Sequence, residues 1–255
     1  MTGDVVRVAA VGDLHCRKDS QGGFQPLFTR MAHADVVVLC GDLTDYGLPE
    51  EARVLARELG AVVKVPVLAV FGNHDYESGH ADEVRAILTE AGVRILDGDG
   101  TEVNGVGFAG VKGFAGGFGQ HALQSWGEPV LKQFVREAVE EALKLEAALA
   151  RLRTPQRVAV LHYSPIRATV DAEPPEIHAF LGSSRLEEPI NRYGAAVAFH
   201  GHAHHGSVEG RTSAGVPVYN VSIPVLTQAF PDQPPFRLLE LPVLREAAAP
   251  AAVAP

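Results

Sequence analysis

The chain lacks most of the features that would place it outside the ordinary globular enzymes. Only two cysteines, Cys16 and Cys40, occur in 255 residues, too few for the disulfide framework of a small secreted domain. No apolar run approaches the roughly 20 residues that span a bilayer, and no positively charged segment with an apolar core and cleavage site precedes the first hydrophobic run. These absences lead to the expectation of a cytoplasmic protein with no membrane role. Positive charge is scarce too: 22 Lys and Arg stand against 31 Asp and Glu, a formal net charge of −9. Without an overall basic field a nucleic-acid polymer is not an expected partner. A small phosphorylated substrate stays open if metal ions bring the positive charge.

An apolar fraction of 46% with 21% charged residues suits one globular domain, expected over residues 1–245, with a disordered Ala/Pro tail over 246–255. Hydrophobic runs predict strands over Val5–Val11, Ala34–Cys40, Val65–Phe71, Arg157–Leu161 and Ala195–Phe199, with shorter ones near Val93–Leu96 and Val106–Val111. Amphipathic spacing predicts helices over Pro49–Gly60, Ala81–Ala91 and Leu131–Leu152. Val216–Ile223 and Phe236–Leu241 read as antiparallel strands that finish the sheet. Glycine-rich residues 113–119 and the long polar stretch 164–188, the latter with a short helix toward Tyr193, read as loops, which we expect to wall a substrate pocket. Phe114 and Phe118 would stack there on a flat group, with His121 beside them.

Five strands end in polar residues of one chemical type. Gly12-Asp13-Leu14-His15, Gly41-Asp42, Gly72-Asn73-His74-Asp75, His162 and Gly201-His202-Ala203-His204 each follow an apolar run. An α/β layered fold gathers such strand ends on one edge. The oxygen and nitrogen donors Asp13, His15, Asp42, Asn73, His162, His202 and His204 are too many for one ion with an open position. They suit two, with Asp42 as the natural bridging carboxylate. Two ions about 3.5 to 4 Å apart hold a hydroxide and neutralise phosphate oxygens during in-line attack.

In this order the five blocks resemble the calcineurin-like metallophosphoesterases, whose signature runs D-x-H, G-D, G-N-H-[DE], a lone H and G-H-x-H. The resemblance implies a four-layer αββα sandwich of two mixed β-sheets flanked by helices. It also implies a dinuclear centre: Asp13, His15 and His204 at the first metal, Asn73, His162 and His202 at the second, and Asp42 between them. His74 would act on the leaving oxygen, oriented by Asp45 or Asp75. The phosphate-gripping arginine that serine/threonine phosphatases carry after the second block is missing from Gly41-Asp42-Leu43-Thr44-Asp45-Tyr46-Gly47. The metal-binding tyrosine of purple acid phosphatases is replaced by Asp45. The sequence is most similar to the bacterial phosphodiesterase branch, which includes class III cyclic-nucleotide phosphodiesterases. We therefore expect a hydrolase for a small soluble phosphate ester, a diester before a monoester, using two transition-metal ions. Manganese or iron come first, with zinc, cobalt or nickel compatible with the same ligands. The rival readings are a monoesterase or nuclease of the same family and a catalytically silent scaffold.

Overall fold

The computed structural model describes residues 5–244; the expected tail over 246–255 lies outside them. In chain order the first half forms β1 (Val5–Val11), α1 (Gln25–Met31), β2 (Val36–Cys40), α2 (Pro49–Val62), β3 (Val67–Val70), α3 (Ala81–Glu90), β4 (Val93–Ile95), β5 (Asp99–Val103) and β6 (Val106–Gly110). The second half forms α4 (Pro129–Arg151), β7 (Gln156–Val160), α5 (His178–Leu181), α6 (Glu187–Arg192), β8 (Val197–His200), β9 (Glu209–Arg211), β10 (Pro217–Asn220), α7 (Ile223–Ala229) and β11 (Arg237–Pro242).

The strands make two mixed sheets, ordered β11-β1-β2-β3-β4 and β5-β6-β7-β8-β10-β9. Side chains alternate between the two faces of a strand, and here both faces are covered. From β1, Val6, Val8 and Ala10 point between the sheets to meet Phe108, Val158, Val160 and Phe199 of the second sheet. Ala9 and Val11 point the other way, onto Phe28, Met31, Leu55 and Leu59 of α1 and α2. In the second sheet Ala109, Ala159 and Ala198 face Leu145, Ala148 and Leu149 of α4. The result is helices, sheet, sheet, helices: the four-layer sandwich. Continuous apolar runs are what a strand buried on both faces requires.

Val216–Ile223 departs from expectation. Its strand part, β10, pairs parallel with β8 and antiparallel only with β9, and its last residue starts α7, whose N-cap Ser222 accepts from the Val225 N–H. The other late strand, β11, is antiparallel to β1 and therefore belongs to the opposite sheet.

β1, β2 and β3 run parallel, as do β7 and β8, so five strand ends deliver their loops to one edge. The loops are tied to each other there. Gly12 N–H donates to the Val221 carbonyl at 2.8 Å, and Gly201 N–H donates to the His162 carbonyl at 3.1 Å. The first of these bonds joins the two sheets.

Candidate metal centre

At that edge the backbone is bent into conformations that side chains other than glycine rarely adopt. Among the described residues only five non-glycine residues have positive φ: Asp13 (59°), His15 (44°), Asp42 (47°), His202 (68°) and Asn104 (51°). The first four are sequence-derived ligand candidates. Such strain costs on the order of 1–3 kcal/mol per residue and persists where surrounding structure over-determines it. The motif glycines are explained by the same crowding. A Cβ on Gly72 would collide with the Asp42 carboxylate, and one on Gly201 would collide with that of Asp13.

Asp13, His15, Asp42 and His204 each bring one donor atom within 4.8 Å of the others, and so do Asp42, His162 and His202. Asp42 is common to both groups. Asn73 joins the second, its Oδ1 lying 3.0 Å from His162 Nε2. All seven candidates thus meet in one place.

Hydrogen bonds set the ring nitrogens. His162 is fully buried, and its Nδ1 lies 3.0 Å from the Cys40 carbonyl, so Nδ1–H donates and Nε2 keeps its lone pair. That lone pair faces Asn73 Oδ1 and, at 3.4 Å, Asp42 Oδ1. His15 Nδ1 lies 3.2 Å from Asp45 Oδ1. Its Nε2 is buried with no hydrogen-bond partner and points at Asp42 Oδ2 from 3.7 Å. His202 Nε2 is 3.2 Å from the Phe180 carbonyl, which leaves Nδ1 for the centre. Lone pairs confronting lone pairs in a dry site are repulsive unless a cation lies between them. This donor set, all nitrogen and oxygen, fits two transition-metal ions.

The electrostatics agree. Burial, reinforced by the charges of Asp13 and Asp75, raises the Asp42 carboxyl to about 9. Burial lowers His15, His162 and His202, the last to about 3, so the imidazoles are neutral as ligands must be. His204 is raised instead, by its 3.0 Å contact with Asp13 Oδ1.

The geometry redraws the expected roles of Asp75 and of the two phenylalanines, and keeps that of Asp45 through its backbone. Asp75 does not reach the His74 ring: its carboxylate is fully buried and accepts from Gly72 N (2.8 Å), Thr44 N (2.9 Å), Leu43 N (3.2 Å) and Thr44 Oγ1 (2.6 Å). It clamps the loop after β2 to the loop after β3. Asp45 meets His74 through its backbone carbonyl, 2.6 Å from Nδ1, while its carboxylate joins His15 to Arg17 Nε at 2.7 Å. The rings of Phe114 and Phe118 are largely taken up by packing. Phe114 packs on Phe134 and Tyr163 with Lys112 over its ring, and Phe118, 9% exposed, packs with Val170, Leu181 and Ala203. His121 is exposed, beside Phe118 on the wall of a cavity.

Sequence reasoning missed Arg17, Tyr163 and Phe180. Tyr163 stands 4.3 Å from the His202 ring, centroid to centroid, and Phe180 is 57% exposed beside the same histidine. Arg17 lies two residues after His15 in the first loop, and no motif marks it.

The calcineurin-like phosphoesterase family model matches residues 6–206. The chain belongs to this family. The phosphopantetheinyl hydrolase of Mycobacterium tuberculosis has the same fold, with a TM-score of 0.65 at 18% identity over 91% of this chain and 95% of its own. TT1561 of Thermus thermophilus aligns at TM-score 0.55 and 15% identity, covering 94% of this chain and 100% of its own. A putative 5′-nucleotidase from Staphylococcus aureus, solved in complex with alpha-ketoglutarate, aligns at 0.51 and 14% over 85% of this chain and 48% of its own. At these identities the likeness is one of fold. No curated protein matches the sequence. Membership places the chain among phosphate-ester hydrolases, and no helix among the described residues is long and apolar enough to cross a membrane.

Proposed function

We propose that the protein is a dinuclear metal-dependent phosphodiesterase acting on a small phosphate ester in the cytoplasm. The observation that carries this reading is the sharing of Asp42 by two donor groups, since a bridging carboxylate is what holds two ions at catalytic separation. Asp13, His15 and His204 would hold the first ion, and Asn73, His162 and His202 the second. Manganese and iron are the first choices. When bound, the ions supply an activated water and neutralise phosphoryl oxygens.

The chain's own residues do the rest. The Cys40 and Phe180 carbonyls and the Asp45 carboxylate fix the ring nitrogens that ligands present, as outer-shell partners do in metal sites. His74 is held by its Nδ1 against the Asp45 carbonyl, with its ring edge-on to His15 at 4.6 Å between centroids. Its Nε2 is left to deliver a proton to the leaving oxygen of a bound ester. A net charge of −9 disfavours a polymeric nucleic acid as substrate. The names of the phosphopantetheinyl hydrolase and the putative 5′-nucleotidase also support a small phosphorylated substrate.

The test is one metal-reconstituted preparation assayed on an aryl phosphodiester, an aryl phosphomonoester and cyclic nucleotides. Faster turnover of diesters is the expected result. Exclusive monoester cleavage would reassign the reaction, and two bound ions with no cleavage of any ester would favour the silent scaffold.

A further inference from the structure

Beside the metal centre lies a cavity of about 250 Å³ whose lining includes Gly117, Phe118, His121, Arg167, His178 and Ala179. Its walls come from the two irregular stretches, 113–121 and 164–183, and they are bonded to each other. Gly116 N–H donates to the Ala179 carbonyl and Gly117 N–H to the Gly182 carbonyl, each at 2.8 Å, and Gly117 forms a parallel bridge with Ser183. The cavity is therefore preformed and does not wait for a ligand to draw loops together. It is also fixed relative to the ligand loop: Phe118 in its wall packs on Ala203, between His202 and His204, and the Phe180 carbonyl, one residue beyond Ala179, meets His202.

Its chemistry contrasts with the rest of an acidic molecule. The lining holds an arginine and two histidines and no carboxylate. Asp171 takes the Nε of Arg167 at 2.8 Å, which fixes the guanidinium, while neither terminal nitrogen of Arg167 makes a hydrogen bond or ion pair among the described residues. His178 is anchored through Nε2 to the Glu173 carbonyl at 2.9 Å. The nearby Glu173 carboxylate is taken up by the His205 N–H. With both terminal nitrogens free, the guanidinium keeps one bidentate edge, which is suited to phosphate or carboxylate.

We propose that this cavity is a substrate subsite for an anionic group, a phosphate or a carboxylate, that the substrate carries some bonds away from the ester it presents to the metals. The proposal rests on the phosphodiesterase reading and adds substrate class to it: a diester with a second, remote negative charge. Arg167 is the principal contact, His121 and His178 complete the rim, and Phe118 and Gly117 form the wall against which the connecting atoms lie.

The experiment uses alkyl 4-nitrophenyl phosphodiesters on the metal-loaded enzyme, the alkyl chain ending in methyl, carboxylate or phosphate at three chain lengths. At the length that spans the gap, kcat/KM for the charged termini should exceed that for methyl by about tenfold, the worth of one charge-assisted contact. Arg167→Gln should bring that ratio close to one through KM, with kcat for the charged esters retained, and Arg167→Lys should restore part of it. Comparison of the carboxylate and phosphate arms identifies the preferred anion. No preference at any length, or a preference that survives both Arg167→Gln and the paired His121→Gln, His178→Gln replacement, overturns the subsite alone. Failure to cleave any of the esters, methyl included, overturns the phosphodiesterase reading and this proposal with it.

Discussion

Asp75 separates a structural from a chemical reading of the third motif. Its carboxylate sits with no solvent exposure among three backbone N–H groups and the Thr44 hydroxyl, so Asp75→Ala leaves three amide donors facing a dry space. Each orphaned donor costs about 1–3 kcal/mol. Two effects offset this loss. Burial raises the Asp75 pKa against the pull of its hydrogen bonds, so a costly ionisable group is also removed, and a water entering the space can satisfy one or two donors. The net loss should be about 3–5 kcal/mol, a large part of the roughly 5–15 kcal/mol that holds a domain folded. At about 2–4 °C per kcal/mol for a chain of this size, Tm falls by about 6–20 °C. Urea unfolding of the metal-free protein, followed by circular dichroism, measures it. His74→Ala is the comparison, since that half-buried ring makes one backbone contact and should cost about 1 kcal/mol or less. An Asp75→Ala protein as stable as wild type and metal-replete, yet inactive, would refute the clamp and return Asp75 to the chemistry.

His74→Ala should retain both metals by elemental analysis and lose about 10² to 10⁴ in rate on an alkoxide leaving group, with a much smaller loss on nitrophenolate; equal losses would mean that His74 holds the phosphoryl group instead. Asn73→Ala should lower metal content towards one ion per chain, because only the second donor group loses a member, and retention of two ions at full activity would remove Asn73 from the centre. The metal-free protein should be most stable near pH 7. Burial lowers His15 and His162, His200 to about 4 and His202 to about 3, so the unfolded chain binds more protons below about pH 6.5 and stability climbs as pH rises to that point. Asp42, raised to about 9, and His204, raised by Asp13, act in the opposite sense, and their contribution is lost as pH rises through their folded values. Urea midpoints in chelator from pH 4 to 10 test this, and a profile still rising above pH 8 would contradict it.

The candidate site was legible because its donor residues terminate strands buried on both faces, whose uninterrupted apolar runs announce themselves, and because Asp13, Asp42, Asn73 and His202 each follow a glycine where side chains crowd the backbone. What stayed hidden has local causes. β5, with the sequence Asp-Gly-Thr-Glu-Val, is a strand only because the adjacent β6 pairs with it; its own composition reads as loop. Gly60 reads as a helix stop, but α2 continues to Val62, since no positive φ is imposed on that glycine. α1 is seven residues long and owes its helicity to Leu27, Phe28 and Met31 packing under the first sheet, which no short window reveals. Asp75 failed for another reason: a motif names which residues assemble, whereas the direction of a carboxylate depends on donors about thirty residues away, and Asp45, which does hold His74, does so through its backbone carbonyl.

The strain and burial gathered around Asp42 imply that the metal-free fold is less stable than it needs to be. An ordinary aspartate titrates near 3.8, and holding Asp42 at about 9 corresponds at pH 7 to a ceiling of about 4 kcal/mol against folding. Relaxation of the cluster should reduce the realised penalty to about 1–3 kcal/mol. Asp42→Asn tests this without changing shape. The new amide tolerates the positive φ of 47°, and its oxygen can still accept from the His74 N–H, now 2.9 Å from Asp42 Oδ1. Its nitrogen takes the place of Oδ2, 3.7 Å from His15 Nε2, and so offers a donor to an atom that has none. The metal-free variant should therefore unfold at higher urea than metal-free wild type, by about 1–3 kcal/mol. Added manganese should stabilise wild type strongly and the variant little, because the carboxylate common to both donor groups is gone. A less stable metal-free variant would mean that the Asp42 charge is already compensated within the protein, and a variant that still gains full stability from metal would mean that Asp42 does not join the two sites.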